Sequence, residues 1–113
     1  MNREIKFRAW DSEIKEFRPE EDLSGICLSA LNATYWNLEQ FTGLKDRNGK
    51  DIYEGDLLKF KILFSDDDYE VGQVAWSNQD AGFILGCFNL WKFASRAEIV
   101  GNIHKNIEFL EEK

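Results

Sequence analysis

Ile5, Phe7 and Ala9 alternate with Lys6 and Arg8, the two-residue period of a strand with one buried face. Asp11-Ser12 supplies a turn after Trp10, and Lys15 to Arg18 can return as a second strand. Pro19 followed by Glu20, Glu21 and Asp22 has the form of a helix start. Leu23, Ile26, Cys27, Ala30 and Leu31 continue at helical spacing, but Ser24-Gly25 interrupts them. That segment is ambiguous between a short helix and an irregular strand. Tyr35 to Thr42 is aromatic and β-forming, and Asn48-Gly49 beyond it is a strong hairpin signal. Extended chain resumes at Ile52-Tyr53, turns at Glu54-Gly55-Asp56, and runs from Leu57 to Phe64. Ser65 to Asp68 is a solvated turn, Tyr69 to Trp76 a strand, Ser77 to Asp80 a turn, and Gly82 to Phe88 a strand. Asn89 to Arg96 is expected as an extended or turn segment, and Ile99 to Ile103 as the closing strand. Asn106 is a suitable cap for a short helix over Ile107 to Glu112.

Short strands at this spacing, with turns of Gly, Asn and Asp and a single proline, predict a mainly β fold, a small barrel or sandwich. There is no internal repeat or linker, so 113 residues form one domain. Composition changes this picture in two ways. Nine Phe, four Trp and three Tyr are many for one small core, so some belong at an interface or in a groove, unless they make a compact aromatic core. The net charge of −7 is the wrong sign for non-specific nucleic-acid binding or attraction to a membrane surface. No apolar run reaches the ~20 residues that span a bilayer. The N-terminal segment has no signal-peptide core, which predicts a cytoplasmic protein. Cys27 and Cys87 lack metal or redox spacing and are expected as buried thiols.

The candidate chemistry is sparse. Asp46 to Asp51 has the look of a calcium loop, but its flanks are strands and its glycine comes too early, so a tight turn is the better reading. Asp66, Asp67, Asp68 and Glu70 are carboxylates of a solvated turn before they are a metal site. His104 is the sole histidine. As a general base it would need Cys27 or Cys87 beside it, which no spacing suggests, and a surface or capping role is expected. With no phosphate loop, zinc spacing or nucleophile elbow, neither metal nor cofactor is expected, and catalysis is disfavoured. Lys6 and Arg8 project on one strand face, and with Arg3 they form a short basic stripe that could contact single-stranded nucleic acid.

The stretch Phe41-Thr42-Gly43-Leu44-Lys45-Asp46-Arg47-Asn48-Gly49-Lys50-Asp51-Ile52-Tyr53-Glu54-Gly55-Asp56-Leu57 resembles the signature of the YopX family. The opening Arg3 to Asp11 and the closing Ile99 to Asn106 are similar to that family's two ends, in the same order. Ile107 stands where proline is expected, and residues 19–37 match nothing clearly. The resemblance implies a phage or prophage origin and an SH3-like β-barrel at the centre, but no particular activity. It divides the chain into N-terminal strands with a variable segment (residues 1–40), a barrel core (41–105) and a terminal helix (106–113).

The resulting expectation is a non-catalytic accessory protein acting by protein–protein contact, as a homo-oligomer or with a host or phage protein. Trp36, Tyr53, Trp76, Trp91 and Phe93 are the candidate surface, any of which could instead be core. The alternative is a nucleic-acid-related role, either through Arg3, Lys6 and Arg8 or as an acidic decoy for a host DNA-binding protein.

Overall fold

The computed structural model describes residues 5–18, 36–61 and 69–106. Among the described residues, nine strands make two antiparallel sheets. Strands β1 (Phe7–Asp11), β2 (Glu16–Phe17), β3 (Trp36–Lys45) and β4 (Asp51–Tyr53) form the first, in the order β2-β1-β3-β4. The second contains β5 (Asp56–Lys61), β6 (Tyr69–Ser77), β7 (Gly82–Leu85), β8 (Phe88–Asn89) and β9 (Glu98–Asn102), in the order β8-β7-β6-β5-β9. The chain is mainly β, as its alternation predicts.

The turns follow from local chemistry. Between β3 and β4, the Asp46 carboxylate accepts the backbone N–H groups of Asn48 (2.8 Å), Lys50 (2.9 Å) and, from β9, Ile99 (3.0 Å). Gly49 takes the positive φ (+81°) that this hairpin turn demands. Burial alone would raise the Asp46 pKa, but those N–H groups outweigh it and hold the carboxyl below its ordinary value. Asp46 therefore pins the tight turn to the last strand.

One apolar cluster holds the second sheet together. Leu58 and Phe60 of β5, Val74 of β6 and Leu85 of β7 pack with Ile52, Leu90, Phe93, Ala94 and Ala97. Phe60, Phe88 and Phe93 form an aromatic trio with ring centroids 5.3–6.1 Å apart.

Three expectations need correction. Residues 90–96 are helical rather than extended: α1 (Leu90–Phe93) runs into a 3-10 turn at Ala94–Arg96. Leu90, Phe93, Ala94 and Ala97 recur at helical spacing, and all four are buried. The strand expected over Gly82 to Phe88 is two strands, because Gly86 turns the chain at φ +63°. Cys87 beside it is exposed, not buried. The ambiguous segment after Pro19, Arg3, Cys27, the Ser65–Asp68 turn and the helix over Ile107 to Glu112 lie outside the described residues. No described helix is long and apolar enough to cross a membrane.

Candidate functional site

The two sheets meet at Glu54-Gly55, where β4 passes directly into β5. Glu54 N–H donates to Gln40 of β3 (3.0 Å), Gly55 N–H to Val74 of β6 (2.8 Å), and Ile103 N–H to the Gly55 carbonyl (2.9 Å). Gly55 adopts φ +87°, and a Cβ there would meet Glu39 Oε2 at 2.5 Å. Any side chain at this crossing would be strained and would displace that carboxylate.

A chain of charged groups fills the junction. Arg8 and Glu39 face each other across β1 and β3, with Arg8 Nε 2.7 Å from Glu39 Oε1. Arg8 Nη2 reaches Asp56 Oδ1 of β5 at 2.8 Å and also donates to the Glu54 carbonyl at 3.2 Å. The guanidinium lies between Phe17 and Tyr53, 4.4 and 4.8 Å from their ring centroids. Glu39 Oε2 is 2.7 Å from His104 Nε2, and the His104 ring stacks on Trp10 at 4.5 Å and 7°. Asp56 Oδ2 accepts the Tyr53 N–H at 2.8 Å. Burial pushes the Asp56 pKa up, and although Arg8 and the Tyr53 N–H pull against it, the carboxyl stays above its ordinary value.

Arg8 and Trp10 come from the opening stretch of the chain, Tyr53, Gly55 and Asp56 from the long central one, and His104 from the closing one. The three stretches that carry the family resemblance thus converge on one junction. Glu39 is the member that sequence patterning passed over. Its signal is parity: it shares a strand face with Phe41, and both are 6% exposed. A carboxylate in register with a buried aromatic needs a buried cation.

Beside the junction a groove of about 260 Å³ is lined by Leu38, Glu39, Glu54, Gly55, Gln73, Val74, Ala75, Trp76 and Ile103. Trp76 stands at its wall, 48% exposed. The indole N–H donates to Asn78 Oδ1 at 2.7 Å, and the ring meets Phe83 edge-on at 5.2 Å.

The sequence-predicted surface residues are dispersed. Trp76 and Trp91 are exposed, Trp91 at 67%. Tyr53 is half-buried against Arg8 and Phe41. Trp36, also half-buried, donates its indole N–H to Asp11 Oδ2 at 3.1 Å and carries Arg18 over its ring. Phe93 is a core residue. The basic strand face differs from expectation, because Lys6 pairs with Asp51 at 2.6 Å and Arg8 is drawn into the junction. His104 is half-buried, and its partner is a carboxylate, not a thiol. Among the described residues, no group of three His, Cys, Asp or Glu side chains is placed to hold a metal ion.

The crystal structure of protein EF1440 from Enterococcus faecalis superposes with a TM-score of 0.66 over 96% of this chain and 99% of that one. At 23% identity the likeness is one of fold. No curated protein sequence matches the chain. The family model described as YopX protein matches residues 24–111, most of the length and two of the three stretches that meet at the junction. The chain belongs to the YopX family.

Proposed function

We propose that this protein is a non-catalytic accessory module of phage type, acting in the cytoplasm by protein–protein contact at the Trp76 side of the groove. The observation that carries this is Trp76 itself. A large ring half in solvent, held at its N–H by Asn78 and packed edge-on with Phe83, loses little conformational freedom when a partner covers it. Preorganised tryptophans of this kind dominate binding at interfaces. The groove beside it is lined by apolar Leu38, Val74 and Ile103 and by polar Glu39, Glu54 and Gln73, a composition suited to one inserted side chain. The partner is a second copy of the chain or a host or phage protein.

The non-catalytic part is supported by how the junction uses its titratable groups. His104 is stacked on Trp10 and paired to Glu39, and Glu39 is paired again to Arg8. Both sheets are read as one domain, supported by this network and by the backbone bonds through Gly55. An SH3-like barrel for the second sheet is supported by its strand order, with the first strand between the second and the last, and by the 3-10 turn just ahead of the last.

Size-exclusion chromatography with light scattering tests the proposal, at low and high salt, on the wild type and Trp76→Ala. A discrete multimer that survives high salt and dissociates in the variant supports self-assembly through this face. A monomer under all conditions removes the homo-oligomer. Photo-crosslinking from position 76 in phage-infected cells then decides the rest, and no crosslinked protein there would sink the proposal.

A further inference from the structure

Away from the junction, the outer face of the second sheet concentrates positive charge in a protein whose net charge is −7. A pocket of about 240 Å³ is lined by Arg47, Lys59, Tyr69, Arg96 and Glu98. Five chain segments build it. Lys59 lies on β5 opposite Glu98 of β9, on the strand face away from the core residues Leu58 and Phe60. Tyr69 opens β6 opposite Lys61, and its ring has Lys59 Nζ and Lys61 Nζ at 4.5 and 4.7 Å. Arg47 belongs to the β3–β4 turn, anchored by its N–H on the Ala97 carbonyl (2.9 Å). Arg96 ends the 3-10 turn, held by one Nη2 bond to the Lys92 carbonyl (3.0 Å) and by packing on Phe93.

Among the described residues, no carboxylate lies within ion-pairing distance of Arg47, Lys59 or Arg96. Glu98 shares the pocket but turns to Asn48, whose Nδ2 lies 3.5 Å from its Oε2. Converging like charges repel, and three cations held around one pocket against the single carboxylate of Glu98, which pairs with none of them, leave a place for an anion. Arg96 commits one Nη2 donor to the Lys92 carbonyl, and a guanidinium with further donors suits the fork geometry of a phosphate.

The geometry points to a phosphate site here, formed by Arg47, Lys59 and Arg96 with Tyr69 as a further hydroxyl donor, that takes a nucleotide, free or within a single strand. It is independent of the Trp76 face and of the Arg3–Arg8 stripe. It also removes the objection from net charge, because binding depends on the few cations that meet the phosphates and not on the total.

The test is fluorescence anisotropy with a labelled oligothymidylate of about ten nucleotides, titrated at salt from about 20 mM upward. Three phosphate contacts predict a slope of about −2 for log affinity against log salt. Arg47→Ala/Lys59→Ala/Arg96→Ala removes exposed side chains and should keep the wild-type far-UV circular dichroism while losing at least about tenfold in affinity. Lys15→Ala, which deletes a cation elsewhere, should bind as wild type, and Glu98→Gln should bind more tightly. Competition by thymidine monophosphate separates the sources: equal molar potency identifies a free nucleotide, and a large preference for the strand identifies single-stranded nucleic acid. No binding at the lowest salt, or binding that the triple variant retains, overturns the proposal.

Discussion

The two sheets are held by different physics. The second sheet closes over apolar side chains, with Leu58, Val74, Leu85 and Leu90 fully buried. The first sheet shares that cluster through Ile52 and the backbone bonds at Gly55. What is particular to its junction is a chain of charges: Arg8 bridges Glu39 and Asp56, and His104 extends the chain to Trp10. Hydrophobic burial is additive and indifferent to direction, so it supplies stability. Buried ion pairs return little net energy after desolvation, yet they are intolerant of a missing partner and of a wrong angle. The difference teaches that the core gives this fold its strength, while the junction fixes how the sheets, and so the groove between them, are aligned.

That contrast can be broken at four points. Leu58→Ala leaves a cavity in the apolar cluster and should cost about 3–4 kcal/mol in denaturant unfolding; a loss below ~1 kcal/mol would show the cluster is not the main source of stability. Arg8→Ala takes the guanidinium from Asp56 and leaves Glu39 with His104 alone, and should cost about 2–3 kcal/mol, less than a fully buried pair because Arg8 keeps some solvent contact. Adding Asp56→Asn should recover part of that loss, since it removes one uncompensated charge. Strict additivity in the double-mutant cycle would deny the coupling.

Asp46→Asn comes next, at about 1 kcal/mol near neutral pH, because an amide has a single acceptor oxygen where the carboxylate has two. The sign with pH follows from the lowered folded pKa. As pH falls below the ordinary value of 3.8, the unfolded state takes up the proton first. The contribution is thus complete above that value and disappears as pH falls through the folded pKa. The variant should show a flatter acid limb in pH-dependent unfolding, and an unchanged limb would count against the carboxylate's role. Smallest of all, Trp76→Ala should change unfolding by no more than about 0.5 kcal/mol, as an exposed position does. A larger loss would place Trp76 in the fold and not at a contact surface.

Much of the strand pattern was legible from local rules. Period-two alternation located the strands, and the Asn48-Gly49 turn needed only the positive φ that few residues adopt. The helical turn at Leu90–Phe93 was missed although Leu90, Phe93, Ala94 and Ala97 carry its spacing, because the segment is short and aromatic, and such runs suit either state. The aromatics divided in a way composition could not state: Phe60, Phe88 and Phe93 meet one another around the core, while Trp76 and Trp91 stay outside.

By itself, then, the sequence determined the mainly β class, the principal turns and the family, because these depend on near neighbours along the chain and on contiguous motifs. Only the tertiary structure decided which charges meet. Arg8 is separated from Asp56 by 48 positions and Glu39 from His104 by 65, and Arg47, Lys59 and Arg96 become one pocket only when separate strands and turns are laid side by side. Charge interaction depends on distance in space and on what water is excluded, and neither is written in the order of residues.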